Sequence, residues 1–250
     1  QIDSDAKTAQ EAINNATTND DVKNAVADGT LAIDKDVANA AIDNAVAGKK
    51  VEISKSPLTD EEKTALNNEV DQEAKSAKKA IDAATTSEAV TNAQENGIKN
   101  INDTKVPAES AKKQAAKEAV AKAADEKNKA IDASNLTDEE KAALKQKVTD
   151  AQTAADQAID NATSNAAVTK AQTNGVNAIN GIKVPTKSNA KEKAVTDLNT
   201  AVENAKKAID QDNNLTDEQK QAAKDQIDSD AKTAQEAINN ATTNDDVKNA

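Results

Sequence analysis

The side chains of this chain that can exchange a proton near neutral pH are carboxylates. Its 250 residues include no His, Cys, Met, Phe, Tyr or Trp, and every positive charge is a lysine. That excludes a Ser–His pair, a thiol nucleophile and a zinc site of the usual His/Cys ligand types. Closely spaced carboxylates occur at Asp3/Asp5, Asp34/Asp36 and Asp210/Asp212. Two residues apart on a helix means about 200° apart in projection, so the members of each pair diverge. General acid–base chemistry also needs a pocket that shifts a pKa, and a chain without aromatics offers little to line one. The pairs read as a solvated face. The run Asp210-Gln211-Asp212-Asn213-Asn214 reads as an inter-helix turn, because it lacks the Gly and Glu that an EF-hand calcium loop places at its sixth and twelfth positions. No catalytic, cofactor-binding or metal-binding residue is singled out, and the chain is expected not to be an enzyme. Asn-x-Thr sequons such as Asn15-Ala16-Thr17 and Asn135-Leu136-Thr137 are no more than a chain this rich in Asn and Thr contains by chance.

Charge narrows the partners. Thirty-two lysines against 44 acidic residues give a net charge of −12. An acidic surface repels phosphate, and without Arg or aromatics there is neither a bidentate guanine reader nor a stacking platform, so nucleic acid is not a partner. No apolar run approaches the length of a membrane span and none reads as a signal peptide, which says nothing of the parent protein's address. Lysines and carboxylates are interleaved, which reads as a solubilising helical surface with i,i+4 pairs worth a few tenths of a kcal/mol each.

The elements that position these charges are announced by one motif. Leu58-Thr59-Asp60-Glu61-Glu62-Lys63 recurs as Leu136-Thr137-Asp138-Glu139-Glu140-Lys141 and as Leu215-Thr216-Asp217-Glu218-Gln219-Lys220, and the two steps between copies differ by a single position. Each copy is a capping box: the Thr hydroxyl accepts from the third helical N–H, and the Glu or Gln three residues on reaches back to the Thr N–H. The acidic residues between them sit where the helix dipole favours negative charge.

Leu, Ile and Val are scarce enough for composition alone to suggest disorder, but they fall at helical spacing. The helix after the second capping box carries Leu144, Val148, Ala151, Ala155, Ile159 and Ala162 on one stripe. Polar clusters end these helices at Thr85-Thr86-Ser87 and Thr163-Ser164-Asn165. A shorter helix follows, with stripes Val90, Ala93, Gly97, Ile101 and Val168, Ala171, Gly175, Ile179, matched upstream by Val22, Ala25, Gly29, Ile33. The glycine in this register either lets two helices approach closely or ends the helix as a C-cap at Asn96-Gly97 and Asn174-Gly175. Continuation of the spacing to Ile101 and Ile179 favours the helix running through. A third, Ala- and Lys-rich helix places Lys127 on its apolar stripe, with the stem expected to cover apolar surface and the ammonium to stay wet. Proline stops the chain at Lys105-Val106-Pro107 and Lys183-Val184-Pro185. The earliest junction has no proline and lacks about ten residues, corresponding to 102–111, so two helices are predicted to fuse there over roughly 20–47.

Three helices per period with short connections predict an all-α fold: tandem three-helix bundles stacked end to end into an elongated rod. The expected organisation is a partial repeat at 1–33, three-helix repeats at 34–103 and 104–182, and a partial repeat at 183–250. Residues 1–25 and 226–250 are identical, which suggests a parent protein that repeats a block running from residue 1 to residue 225.

Leu-Thr-Asp-Glu-Glu-Lys, followed by Ala-Ile-Asp-Ala-Ala-Thr-Thr at 80–86 and Asn-Gly-Ile-Lys-Asn-Ile-Asn at 96–102, resembles the "domain of unknown function 1542" repeats of Gram-positive cell-wall-anchored surface proteins, staphylococcal matrix-binding proteins and lactobacillal adhesins among them. The resemblance covers the whole chain and departs from it at the short junction near residue 34. It implies an extracellular, cell-wall-attached setting and a structural stalk that projects a distal adhesive domain. The alternative is a binding module whose helical faces hold a host matrix or serum protein, against which stands the absence of the Trp, Tyr and Arg that dominate binding hot spots. The expected partners are neighbouring repeats of the same chain, which is expected to be a monomer, and no cofactor is implied.

Overall fold

The computed structural model describes residues 1–250 as ten α-helices with no strand: α1 Ile2–Asn15, α2 Asn19–Lys55, α3 Asp60–Ala83, α4 Ser87–Asp103, α5 Ala111–Asp132, α6 Asp138–Asn161, α7 Asn165–Asn180, α8 Asn189–Gln211, α9 Asp217–Asn240 and α10 Asn244–Asn249. Each predicted Thr cap forms. Thr59, Thr137 and Thr216 complete reciprocal capping boxes with Glu62, Glu140 and Gln219. Thr18 and Thr243 do the same with Asp21 and Asp246.

The missing-proline junction is one continuous helix, as its sequence predicts. It runs beyond the expected end: α2 spans 37 residues and stops only at Ser56, just before Pro57, which cannot be preceded comfortably by helical backbone. Its first half plays the part of a third helix and its second half that of a first helix.

The chain divides into two compact units, residues 1–114 with 162–167 and residues 115–161 with 168–250. In the first, α2, α3 and α4 pack mutually and α1 lies on α2. The core consists of Ile42, Ile53, Val70, Ile81, Val90 and Ile101, all essentially solvent-free. The second unit contains Val120, Ile131, Val148, Ile159, Val168 and Ile179, equally buried and each one period after its counterpart. Six large aliphatics per bundle, each worth about 1.5–3 kcal/mol when fully buried, hold the fold; alanine fills the remaining contact.

Gly97 and Gly175 lie inside α4 and α7, and no residue has positive φ, so the helices run through and the C-cap reading falls. The close-approach reading stands. A Cβ on Gly97 would overlap Ala77 Cβ and come within 2.8 Å of Ile42 Cδ1, and one on Gly175 would overlap Ala155 Cβ.

Lys127 is corrected. Its ammonium is not left to water: Nζ donates to the carbonyls of Asn180 (3.0 Å) and Ile182 (2.9 Å) at the end of α7. Lys49, in the same register on α2, is 8% exposed and donates to the Thr104 carbonyl at 3.2 Å. Helix ends leave four carbonyls without intrahelical partners and carry partial negative charge. Since α4 and α7 have no basic residue in their last turns, a lysine from the neighbouring helix supplies the cation. Lys35 and Lys191 serve the ends of α3 and α9 similarly, through Asp82 O (2.8 Å) and Asn239 O (2.9 Å).

Candidate functional site

The recurring chemical feature is the capping box itself, which bonds to more than its own helix. The helix start at Thr59 meets the turn one period further on. Asp60 N–H, an orphan donor of the first turn, donates to the Thr163 carbonyl at 2.7 Å. The Thr59 hydroxyl donates to Asn165 Oδ1 at 2.9 Å, and Asn165 N–H donates to Glu61 Oε2 at 2.9 Å. Leu58 and Thr59 are thereby buried, at 4% and 0% exposure.

The same set recurs at the second copy. Asp138 N–H donates to Thr242 O at 2.9 Å, the Thr137 hydroxyl to Asn244 Oδ1 at 2.8 Å, and Asn244 N–H to Glu139 Oε2 at 2.9 Å.

The last acid of each box also reaches a third element. Besides accepting from Thr59 N–H at 2.9 Å, Glu62 accepts from Lys112 N–H at 3.3 Å at the start of α5 and from the Ser110 hydroxyl. Glu140 accepts from Thr137 N–H at 3.1 Å, Ala190 N–H at 3.2 Å and the Ser188 hydroxyl. Burial alone would raise both pKa values. The convergent donors overcome it and hold both carboxylates below the ordinary glutamate range. Each junction thus clamps a turn and a helix start of the following period with neutral and charge-assisted bonds.

The carboxylate pairs noted in the sequence do not converge within themselves. Asp3 is exposed while Asp5 is half-buried. What the structure does bring together is Asp5 with Asp36, one from each pair, where α1 lies on α2. Burial pushes the Asp36 carboxyl above its ordinary pKa, and a hydrogen bond and the charge of Asp5 push the same way. No spacing rule finds such a pair, since it joins two helices. Asp210, ion-paired with Lys224, and Gln211 still belong to α8, and the inter-helix turn begins at Asp212, whose Oδ1 accepts Asn214 N–H at 2.8 Å. No three His, Cys, Asp or Glu side chains converge as metal ligands. A surface hollow of about 730 Å³ is lined by Asn135, Ser188, Lys191, Glu192 and Asn239 among others. Its charged groups are already engaged, Lys191 with Asn239 O and Glu192 with Lys187 at 3.2 Å.

Three capping boxes at a nearly constant period, the first two bonded to the period that follows, define a tandem helical-repeat protein. The chain belongs to the family described as Domain of Unknown Function (DUF1542), whose model matches residues 34–109, 112–187 and 190–250. It is 34% identical over 236 residues to the "Extracellular matrix-binding protein EbhA" of Staphylococcus aureus strain Mu3, and equally to the "Extracellular matrix-binding protein ebh" of strain JH9 and the EbhA of strain Newman. These matches cover 93% of this chain but only 3%, 2% and 7% of the respective relatives. The matched relatives are named as binding extracellular matrix, and no helix of this chain is long and apolar enough to cross a membrane. No solved structure matches the chain.

Proposed function

We propose that the chain is a structural stalk, a non-enzymatic spacer in a bacterial cell-surface protein that projects a distal adhesive domain from the cell wall. The repeating units run 34–103 and 104–182, with partial units at 1–33 and 183–250. The observation that carries the reading is the repetition of one junction, Thr59 to Asn165 and Thr137 to Asn244, with the same bonds across 106 and 107 positions. An interface repeated head to tail by one operation builds an open array whenever its rotation does not close into a ring. Array length then scales with the number of copies, and a charged surface free of aromatics keeps neighbouring stalks from adhering.

Small-angle X-ray scattering tests it. A compact chain of this length has a radius of gyration of about 18 Å. Bundles of roughly 25-residue helices set end to end reach about 110 Å, with a radius of gyration of about 30 Å. The compact value removes the stalk.

The second reading is a binding module for a matrix protein, as the relatives' names suggest. One local observation favours it. Val37 and Val51 on α2 are 50% and 51% exposed, where the same registers of α5 hold Ala115 and Lys129. Retention of a matrix protein by the intact chain, lost in a Val37→Lys, Val51→Lys variant, supports binding over spacing.

A further inference from the structure

The third capping box is open where the first two are closed. Leu58 and Leu136 are 4% exposed and Thr59 and Thr137 are fully buried, whereas Leu215 is half-buried and Thr216 exposed. The box itself is made, with Thr216 N–H on Gln219 Oε1 at 2.9 Å and Gln219 N–H on Thr216 Oγ1 at 3.3 Å. Only the cross-period partners differ. The helices around it are open too. Leu198, Ile209 and Ile227 stand in the registers of the fully buried Val120, Ile131 and Val148, yet are half-buried. A groove of about 550 Å³ beside them is lined by Leu198, Ala234, Ile238 and Val247. A complementary surface exists elsewhere on the chain: the turn Thr85-Thr86-Ser87 is exposed, although Asn165 and Asn244, in the register of Ser87, are half-buried in the closed junctions.

We propose that this open face is a docking site for a second copy of this chain, continuing from the sequence that both ends share, and that Gln219 selects the fused-helix repeat as its occupant. The seating is already displayed. Residues 1–25 and 226–250 are identical, and in the first copy α2 lies on α1 with Gly29 so close to Ala9 that a Cβ would overlap it. Ala234 is the same alanine in the second copy of that sequence. Residues 26–33 of a following copy therefore fit the groove beside Ala234 by contacts the chain already makes. The Thr85–Ser87 turn of that copy then reaches Thr216 as Thr163–Asn165 reaches Thr59.

Gln219 identifies which repeat fits. Glu62 and Glu140 are each satisfied by a serine hydroxyl and a free N–H at a helix start, Ser110 with Lys112 and Ser188 with Ala190. The alignment that sets Ile42 against Val120 leaves Ser110 without a counterpart, inside the missing stretch 102–111, and puts Asp34, inside α2, in the place of Lys112. There the hydroxyl is gone, the N–H is held in the helix's own ladder, and a carboxylate is added. A glutamate facing that segment would be desolvated without donors and beside a like charge; a neutral glutamine avoids both penalties.

The test compares the chain of residues 1–250 with a fusion in which residues 1–225 run directly into a second copy of residues 1–250, reading amide exchange at Asp217 of the first copy. The expected result is exchange slowed about tenfold or more in the fusion, toward the rates at Asp60 and Asp138. Gln219→Glu should reverse that slowing in the fusion and leave the single chain, whose box is intact either way, unchanged. Equal exchange at Asp217 in both chains overturns the docking site. Slowed exchange that Gln219→Glu does not disturb overturns the selection.

Discussion

The Thr59 hydroxyl donates to Asn165 Oδ1 at 2.9 Å, 106 positions away in sequence, while its oxygen caps α3 by accepting Glu62 N–H at 3.3 Å. One side chain thus closes a helix and holds the following period against it. Thr59→Ala and Thr137→Ala should each cost about 1–2 kcal/mol, the upper range for an N-cap, because a cross-period hydrogen bond is lost together with the cap. Thr216→Ala, which removes a cap without a cross-period partner, should cost less, about 0.5–1 kcal/mol. A double-mutant cycle of Thr59→Ala with Asn165→Ala, followed by urea denaturation, should return a coupling of about 1 kcal/mol. Strict additivity would reduce the contact to proximity.

Acid should loosen the junctions first. Glu62 and Glu140 have folded pKa values below their ordinary 4.5, so the stability they contribute is complete above that value and is lost as pH falls through the depressed ones. Urea midpoints should fall between about pH 5 and pH 2, and the double variant Glu62→Gln, Glu140→Gln should lower the midpoint at neutral pH while flattening that slope. An unchanged slope would place the acid sensitivity elsewhere, for instance in the exposed caps Asp21 and Asp246, which their threonines also hold low.

Asp156 has the opposite sign. Burial raises its pKa above the ordinary 3.8 against the opposing pull of Lys117, and its Oδ1 is shut from solvent without a hydrogen-bond partner. Any stability tied to its protonated form is complete below the ordinary value and disappears as pH rises through the raised one, so at neutral pH its charge is a cost. Asp156→Asn should raise the urea midpoint at pH 7, with the gain vanishing at about pH 3. Destabilisation at pH 7 would mean that the attraction of Lys117 outweighs burial.

Much of the fold was legible because helical periodicity and capping chemistry are local. Val70, Ile81, Val148 and Ile159 declared their buried face by spacing alone, and the absence of proline after Ile33 announced the fused α2. The partners of those local features were not legible. Thr59 and Asn165 are both visible as cap and turn residues, and the turns recur at the same step as the caps, but nothing in periodicity says that a cap meets the turn of the following period rather than its own. Spacing puts Lys127 on the apolar stripe but does not reveal the α7 carbonyls that bind its ammonium, because they come from another helix. The approach of Asp5 to Asp36 likewise joins two helices, which spacing along one helix does not show.

Glycine offers a test in which one substitution has opposite signs at different positions. Glycine inside a helix costs about 0.5–1 kcal/mol relative to alanine, so its removal should stabilise wherever space permits. At Gly48, exposed two turns before the end of α2, an added Cβ has nothing within 4 Å, and Gly48→Ala should gain about that amount. At Gly97 and Gly175 the added methyl would overlap the methyls of Ala77 and Ala155, which sit on facing helices and cannot swing aside. Separating the helices would pull Val90 and Ile101, or Val168 and Ile179, out of their solvent-free contacts. Gly97→Ala and Gly175→Ala should therefore lose about 1–3 kcal/mol despite the better helix former. Pairing Gly97→Ala with Ala77→Gly should restore much of the loss by returning the missing space. If Gly97→Ala stabilises the chain as Gly48→Ala does, the helices are not in contact at that glycine, and the close approach that shapes each bundle is wrong.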